Sequence, residues 1–261
     1  MQQFIMKKLS RLVAYSIGVA AILCSYSFAP AYHLFPSEFP GEKASNAAFS
    51  AIAHGVLNGA NPSFIESKKF VYDSLHLEEA GLSRSVFELG LRGMEKLKRK
   101  ARIQTNILSI VDFSKPSTSK RLFVIDLDNI ELLFCTWVAH GRNSGKEWAS
   151  SFSNKPRSRK SSLGFYVTGQ PYMGSNGYSL KLFGVEQGIN NNAYSRAIVL
   201  HGADYVNTDY INNQGYIGRS QGCPAVMPEV NTPLINTIKD GSCLFIYHPT
   251  PAYIKRSVMV K

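Results

Sequence analysis

A thiol behind a glycine, with an imidazole supplied from another segment, is the part of this chain that could do chemistry. His201-Gly202-Ala203 is followed downstream by Arg219-Ser220-Gln221-Gly222-Cys223-Pro224-Ala225. A thiol attacks only as thiolate, so a catalytic cysteine needs a base, a local positive field, or both. His201 is the candidate base and Arg219 the candidate cation. Gly222 permits a sharp turn and a close approach to substrate, and the N–H groups of Gly222 and Cys223 are the candidate oxyanion donors. Ser220 either bonds to the histidine or shapes the loop. Cys223 lies in a polar turn, whereas Cys135 and Cys243 lie in apolar runs, Glu131 to Val138 and Cys243 to Tyr247, where cysteine is a small core filler. Three histidines compete as base. His140-Gly141 repeats the pattern of His201-Gly202, so composition leaves His140 open, while His248 near the end of the last strand is expected to be structural.

The run Ala197 to His201 is apolar and β-branched, so it reads as a strand carrying His201 to its end. Further strands are expected at Asn106 to Phe113, Arg121 to Asp126, Glu131 to Val138, Gly164 to Val167, Leu180 to Phe183 and Cys243 to Tyr247. Turn residues separate them, notably Lys115-Pro116-Ser117, Asp128-Asn129, Met173 to Gly177 and Gly188 to Asn191. Many short strands with Gly/Asn turns predict a mainly β domain, a sandwich or barrel-like sheet. Helical periodicity comes first. Phe49, Ile52, Ala53, Val56 and Leu57 share one face, and Phe64, Lys68, Phe70, Val71 and Leu75 suggest a second helix. Val86, Leu89, Gly90, Gly93, Met94 and Leu97 make the stripe of a third, started by Ser83 or Ser85, with Ser85 and Glu88 in capping-box spacing. These helices are expected to pack on the main domain or to bind a polymer outside the protein.

The chain has 261 residues, 44% hydrophobic and 18% charged, as in an ordinary globular core. Lys7, Lys8 and Arg11 precede an apolar run from Leu12 to Leu23, and Ser27-Phe28-Ala29-Pro30-Ala31 closes it with small residues. That is secretory signal architecture, with cleavage expected after Ala31. The expected organisation is a signal peptide over 1–31, a helical segment over 32–100 and a β catalytic domain over 101–261. Loss of the signal would lower the net charge from +11 to +8. A basic exported protein suits either a generally solvated surface or an acidic polymer. No nucleic-acid motif is present, and nucleic acid is not an expected partner. Beyond Cys24, three cysteines remain, so at least one thiol stays free; a Cys135–Cys243 disulfide would leave Cys223 as that thiol. No cysteine pair has zinc spacing, and neither metal nor cofactor is expected.

At His201-Gly202, at Ser220-Gln221-Gly222-Cys223-Pro224-Ala225 and at Ser161-Ser162-Leu163-Gly164-Phe165-Tyr166 the chain resembles the L,D-transpeptidases, the YkuD-type domains of bacterial cell walls. The order of the three elements matches, from about Ser45 to Tyr247. The ending is similar to that of a divergent subfamily with Gly-Arg-Ser-x-Gly-Cys-Pro-Ala. Gln221, Ala225 and Ser162 depart from the commoner pattern. The resemblance implies the L,D-transpeptidase β-fold, a Cys223 nucleophile, His201 as base and the Gly202 carbonyl as its orienting partner. It also implies peptidoglycan stem peptides as substrate, with a periplasmic or envelope location. Arg219 would then meet a substrate carboxylate, and Tyr166 would either stack on substrate or fill the core. Acceptors compatible with this chemistry are another stem's amine, an envelope protein lysine, a D-amino acid or water. A hydrolase of the same fold and a non-catalytic wall-binding protein are the alternatives.

Overall fold

The structure, a computed structural model, describes residues 63–261. The expected signal peptide and the helix around Phe49 to Leu57 lie outside the described residues. Two short helices, α1 (Phe64–Lys68) and α2 (Phe70–Ser74), lead into the longer α3 (Arg84–Arg99). Eight strands follow: β1 (Ile107–Asp112), β2 (Leu122–Asp126), β3 (Glu131–Thr136), β4 (Gly164–Gly174), β5 (Gly177–Gly184), β6 (Val199–Gly202), β7 (Ala225–Val226) and β8 (Cys243–Tyr247). Helices α4 (Thr208–Gln214), α5 (Pro228–Ile238) and α6 (Pro251–Arg256) are interleaved with the last strands.

All eight strands belong to one sheet, ordered β3-β2-β1-β8-β4-β5-β6-β7. The chain leaving β3 then crosses to the far edge. Ala139 bridges Ala225 beside β7, and Gly141 bridges Ser220. The sheet is therefore nearly closed and barrel-like, in a mainly β fold with an N-terminal helical region. β1 and β8 pair in parallel at its centre, and nearly every residue of both is buried. The mostly apolar runs, broken in β1 by Ser109 and Asp112, are what strands covered on both faces require, in place of alternation.

One cover is α3, whose buried residues are Val86, Phe87, Gly90, Leu91, Gly93, Met94 and Leu97. They belong to the same core cluster as the strands, so the helix packs on the sheet as one of the two expectations had it. The stripe holds except at Leu89, which is half-buried, and it is wider by Phe87 and Leu91. The expected capping box does not form: Ser83 is the N-cap, and Ser85 lies inside the helix. Two glycines let the helix sit close. A Cβ on Gly90 would meet Ile110 and Leu108 at 3.2 Å, and one on Gly93 would lie 2.1 Å from the Phe165 ring. Phe165 in turn stacks on Phe245 at 4.1 Å, joining α3, β4 and β8.

Four elements had not been read from the sequence: β7, α4, α5 and α6. In α5 the internal Pro233 hides a helical face made by Asn231, Leu234, Ile235 and Ile238. The three described cysteines are free. Cys135 on β3 and Cys243 on β8 have β2 and β1 between them, about 14 Å of sheet, which is too far for a disulfide. Among the described residues no helix is long and apolar enough to cross a membrane.

Gly93→Ala should destabilise the fold by about 1–3 kcal/mol, the usual cost of overpacking a filled core. Adding Phe165→Leu should cost less in the Gly93→Ala background than in the wild type, as measured by urea unfolding. Strict additivity of the two changes would contradict the contact.

Candidate active site

Parallel pairing of β6 with β7 sets His201 opposite Ala225, which brings the strand end alongside Cys223 two residues upstream. His201, Gly202, Arg219, Ser220, Gln221 and Cys223 line one cleft of about 420 Å³. The sequence had placed these residues together, and the fold does so. Cys223 is 8% exposed and His201 5%, so both are largely buried in the cleft lining.

The turn carrying the thiol is clasped from within. Ser220 Oγ donates to the Cys223 carbonyl at 2.6 Å and accepts the Gly222 N–H at 3.0 Å. Of the two expectations for Ser220, loop shaping is the one the geometry supports. The same bond corrects the oxyanion assignment: the Gly222 N–H is committed to Ser220, whereas the Cys223 N–H has no partner among the described residues. Gly222 has φ +130°, and a Cβ there would meet the Lys160 carbonyl at 3.0 Å. Its task is the turn itself. Behind it, Ser161 Oγ donates to the Gly222 carbonyl at 3.2 Å and accepts the Gly141 N–H at 3.0 Å.

The two His-Gly pairs hold opposite tautomers. His201 Nδ1 lies 2.8 Å from the Gly202 carbonyl, which can only accept, so Nδ1 carries the proton and Nε2 is left as an acceptor. His140 Nδ1 lies 2.9 Å from Arg121 Nη2, which can only donate, so the proton sits on Nε2. That Nε2 is buried without a partner among the described residues. Burial and then the Arg121 charge push His140 down to about 3. His140 instead serves through its backbone: its carbonyl accepts the Ser220 N–H at 3.0 Å, next to the bond from Arg142 N to the Ser220 carbonyl at 2.8 Å.

Arg121 is the fully buried anchor of this segment. Its guanidinium donates to the Val138 carbonyl at 3.1 and 2.8 Å and to the Lys115 carbonyl at 2.9 Å, besides His140. Burial lowers it to about 9, against the pull of Asp112. Nothing in the sequence distinguished it from a surface cation opening a strand.

Burial also sets the charge state of the central pair. It raises the Cys223 thiol, against the Val199 N–H and the Arg196 charge, which favour thiolate. It lowers His201, against the hydrogen bond to Gly202. Both shifts favour the neutral thiol–imidazole pair over thiolate–imidazolium. The thiol donates to the Ala197 carbonyl at 3.7 Å and accepts the Val199 N–H at 3.5 Å. The cation acting on it is thus Arg196, not Arg219 as expected. Arg219 donates to the Gly145 carbonyl at 3.0 Å and lies over Tyr216, with its edge on the cleft.

Tyr166 is not a cleft residue. It is completely buried on β4, and its hydroxyl donates to the Ser162 carbonyl at 2.9 Å. Burial raises the phenol well above its usual range. The core reading replaces substrate stacking. The aromatic walls are Tyr205 and Tyr210, with Asn176 and Asp204 nearby, none of which had been assigned a role. Tyr205, four residues beyond His201, was the signal within reach. His248 has a buried Nδ1 without a partner among the described residues and packs on Phe152 at 4.9 Å, away from the cleft lining.

The fold thus sets a cysteine and an N-δ-protonated histidine in the lining of one cleft on a barrel-like sheet. Residues 78–247 match the family model described as the L,D-transpeptidase catalytic domain (YkuD_2), and the chain belongs to that family. Among solved structures it is similar to an L,D-transpeptidase from Mycobacterium smegmatis, at 12% identity and a TM-score of 0.34, covering 55% of this chain and 59% of that one. It is also similar to a mutant of the helical cell shape determining protein Pgp2 from Campylobacter jejuni, at 14% identity and 0.37, covering 63% and 56%. A third is an L,D-transpeptidase fragment from Xylanimonas cellulosilytica, at 12% identity and 0.32, covering 72% and 94%. The chain spans about three fifths of the mycobacterial chains it matches. No curated protein sequence matches it.

The buried neutral His140 ties stability to pH. Its folded value lies below the unfolded one, near 6.5, so its contribution is complete above that pH and is lost on acidification toward about 3. The urea midpoint should fall between pH 7 and pH 4, and His140→Asn should flatten that fall. An equal slope in the variant would contradict the assignment.

Proposed function

We propose that this protein is an exported cysteine L,D-transpeptidase acting on peptidoglycan stem tetrapeptides, in the divergent subfamily with the Gly-Arg-Ser-x-Gly-Cys-Pro-Ala ending. The observation that carries the mechanism is the His201 tautomer: with Nδ1–H held by Gly202, Nε2 is the acceptor of a ring sharing its cleft with Cys223. Cys223 attacks the carbonyl between the third, L-centred stem residue and the terminal D-alanine. His201 takes the thiol proton as the C–S bond forms, then gives it to the departing amine. A resting neutral pair suits this coupling, because charge appears only with substrate present. The Cys223 N–H is the available backbone donor for the oxyanion, and Ser220 keeps the turn in shape. D-alanine leaves and a thioester remains.

An amine then resolves the thioester, from a second stem, an envelope protein lysine or a free D-amino acid. Arg219 and Asp204 place one cation and one carboxylate in the cleft, a combination suited to a zwitterionic group. Family membership and a cleft with tyrosine walls support transfer over hydrolysis, since the acyl group must be screened from water until an amine arrives. Export rests on the charged start, the apolar run Leu12 to Leu23 and the small residues ending at Ala31. The proposed organisation is a signal over 1–31, a helical segment over 32–100 and the catalytic domain from 101.

Cys223→Ala should abolish D-alanine release, and His201→Ala should lower it about a hundredfold or more. His140→Ala, judged on folded protein, should lose less than His201→Ala. In the wild type, kcat/KM should hold steady from pH 7 down past 6.5, because burial sets His201 below its ordinary value. Tetrapeptide with excess D-methionine should yield stems carrying D-methionine at the fourth position. Tripeptide and free D-alanine alone would instead identify a hydrolase.

A further inference from the structure

The cysteine turn divides two clefts. One holds His201 and Cys223; the other, of about 700 Å³, is lined by Arg157, Arg159, Arg196, Asn143, Ile198 and Gln221, among others. Gln221 is the one residue lining both. The second cleft is strongly basic and its charge is unanswered. Arg157, Arg159 and Arg196 make no ion pair among the described residues, and all five ion pairs found there lie between Glu66 and Asp128.

The loop bearing these cations is fixed rather than loose. Arg196 Nη1 donates to the Ser153 carbonyl at 2.8 Å, and its Nη2 to the Lys160 carbonyl at 2.7 Å. Asn143 binds from the other side, its N–H on the Arg159 carbonyl at 3.1 Å and its Nδ2 on the Ser158 carbonyl at 3.0 Å. Within this pinned loop Arg157 and Arg159 have φ +58° and +55°, a region that side-chain-bearing residues enter at a cost. Glycine would relieve that strain at either position but would remove a guanidinium. Arg196 has spent its donors on the loop; Arg157 and Arg159 are exposed and have not. Their planar forks match carboxylates, which they bind in bidentate fashion.

We propose that this groove binds a carboxylate-bearing peptide segment, held by Arg157 and Arg159 beside the cysteine turn. Given the L,D-transpeptidase reading above, on which this identification rests, the segment is a stem peptide held through its free carboxylates. The basic surface that the sequence left between general solvation and an acidic polymer then has a defined place. Gln221, shared by both clefts, is the contact between bound peptide and thiol turn.

The test is calorimetry on full-length Cys223→Ala protein with N-acetyl-tetraglutamate and, as the uncharged counterpart, N-acetyl-tetraglutamine. The glutamate peptide should bind and the glutamine peptide should not. R157Q/R159Q should weaken binding about tenfold or more, the loss expected when charged hydrogen bonds are removed. K100Q/K255Q, which removes the same charge from exposed sites elsewhere, should change it less than threefold. R157G/R159G should lose binding as well while melting at no lower temperature, which separates lost contacts from a damaged fold. Equal binding of the two peptides, or equal losses in the two glutamine variants, would overturn the proposal. Stem-tetrapeptide turnover is measured separately on protein retaining Cys223. Turnover without groove binding overturns the groove alone; groove binding without turnover supports the groove and overturns the transpeptidase reading.

Discussion

The seam between the segment leaving β3 and the cysteine loop is the constraint on which the site depends. Ala139 pairs with Ala225, His140 and Arg142 with Ser220, and Ser161 ties Gly141 to Gly222. These contacts both bring the sheet close to a barrel and set the position of the thiol. Arg121 anchors the seam from inside. Burying a guanidinium without a carboxylate costs several kcal/mol, and four hydrogen bonds of about 1.5–3 kcal/mol each, being to a charged group, offset that. The cation stays charged at neutral pH because burial, though it lowers the group, leaves it at about 9.

Desolvation, more than any partner, governs the electrostatics of the site. It is the largest influence on Cys223, His201, His140 and Arg121 alike. The backbone then decides what each histidine can do. A carbonyl acceptor leaves His201 with a basic Nε2, and an arginine donor leaves His140 with a basic nitrogen already occupied. Two identical dipeptides thus acquire opposite chemistry from one hydrogen-bond partner each.

Much of this was legible in the residues. The central strands were legible as apolar runs, and Cys223 stood out because its neighbours are polar where those of Cys135 and Cys243 are apolar. What stayed hidden were features defined by partners distant in sequence. Arg121 looks like any strand-edge cation until Val138 and His140 surround it. Ser161 was quoted in a motif, yet its role as a bridge from Gly141 to Gly222 depends on three segments meeting. Tyr166, two residues after the motif glycine, suggested a substrate contact, but β4 is buried on both faces there and the ring lies in the core. Helix α5 escaped because Pro233 argues against a helix while Asn231, Leu234, Ile235 and Ile238 argue for one.

The central claim is that Cys223 carries the acyl group. It is tested most directly by intact-protein mass spectrometry after brief mixing with a tetrapeptide stem. The account predicts an adduct of the stem lacking D-alanine, mapped by peptide digestion to Cys223 and removed by hydroxylamine. An adduct on Cys135 or Cys243, or D-alanine release by a Cys223→Ala protein, would contradict it.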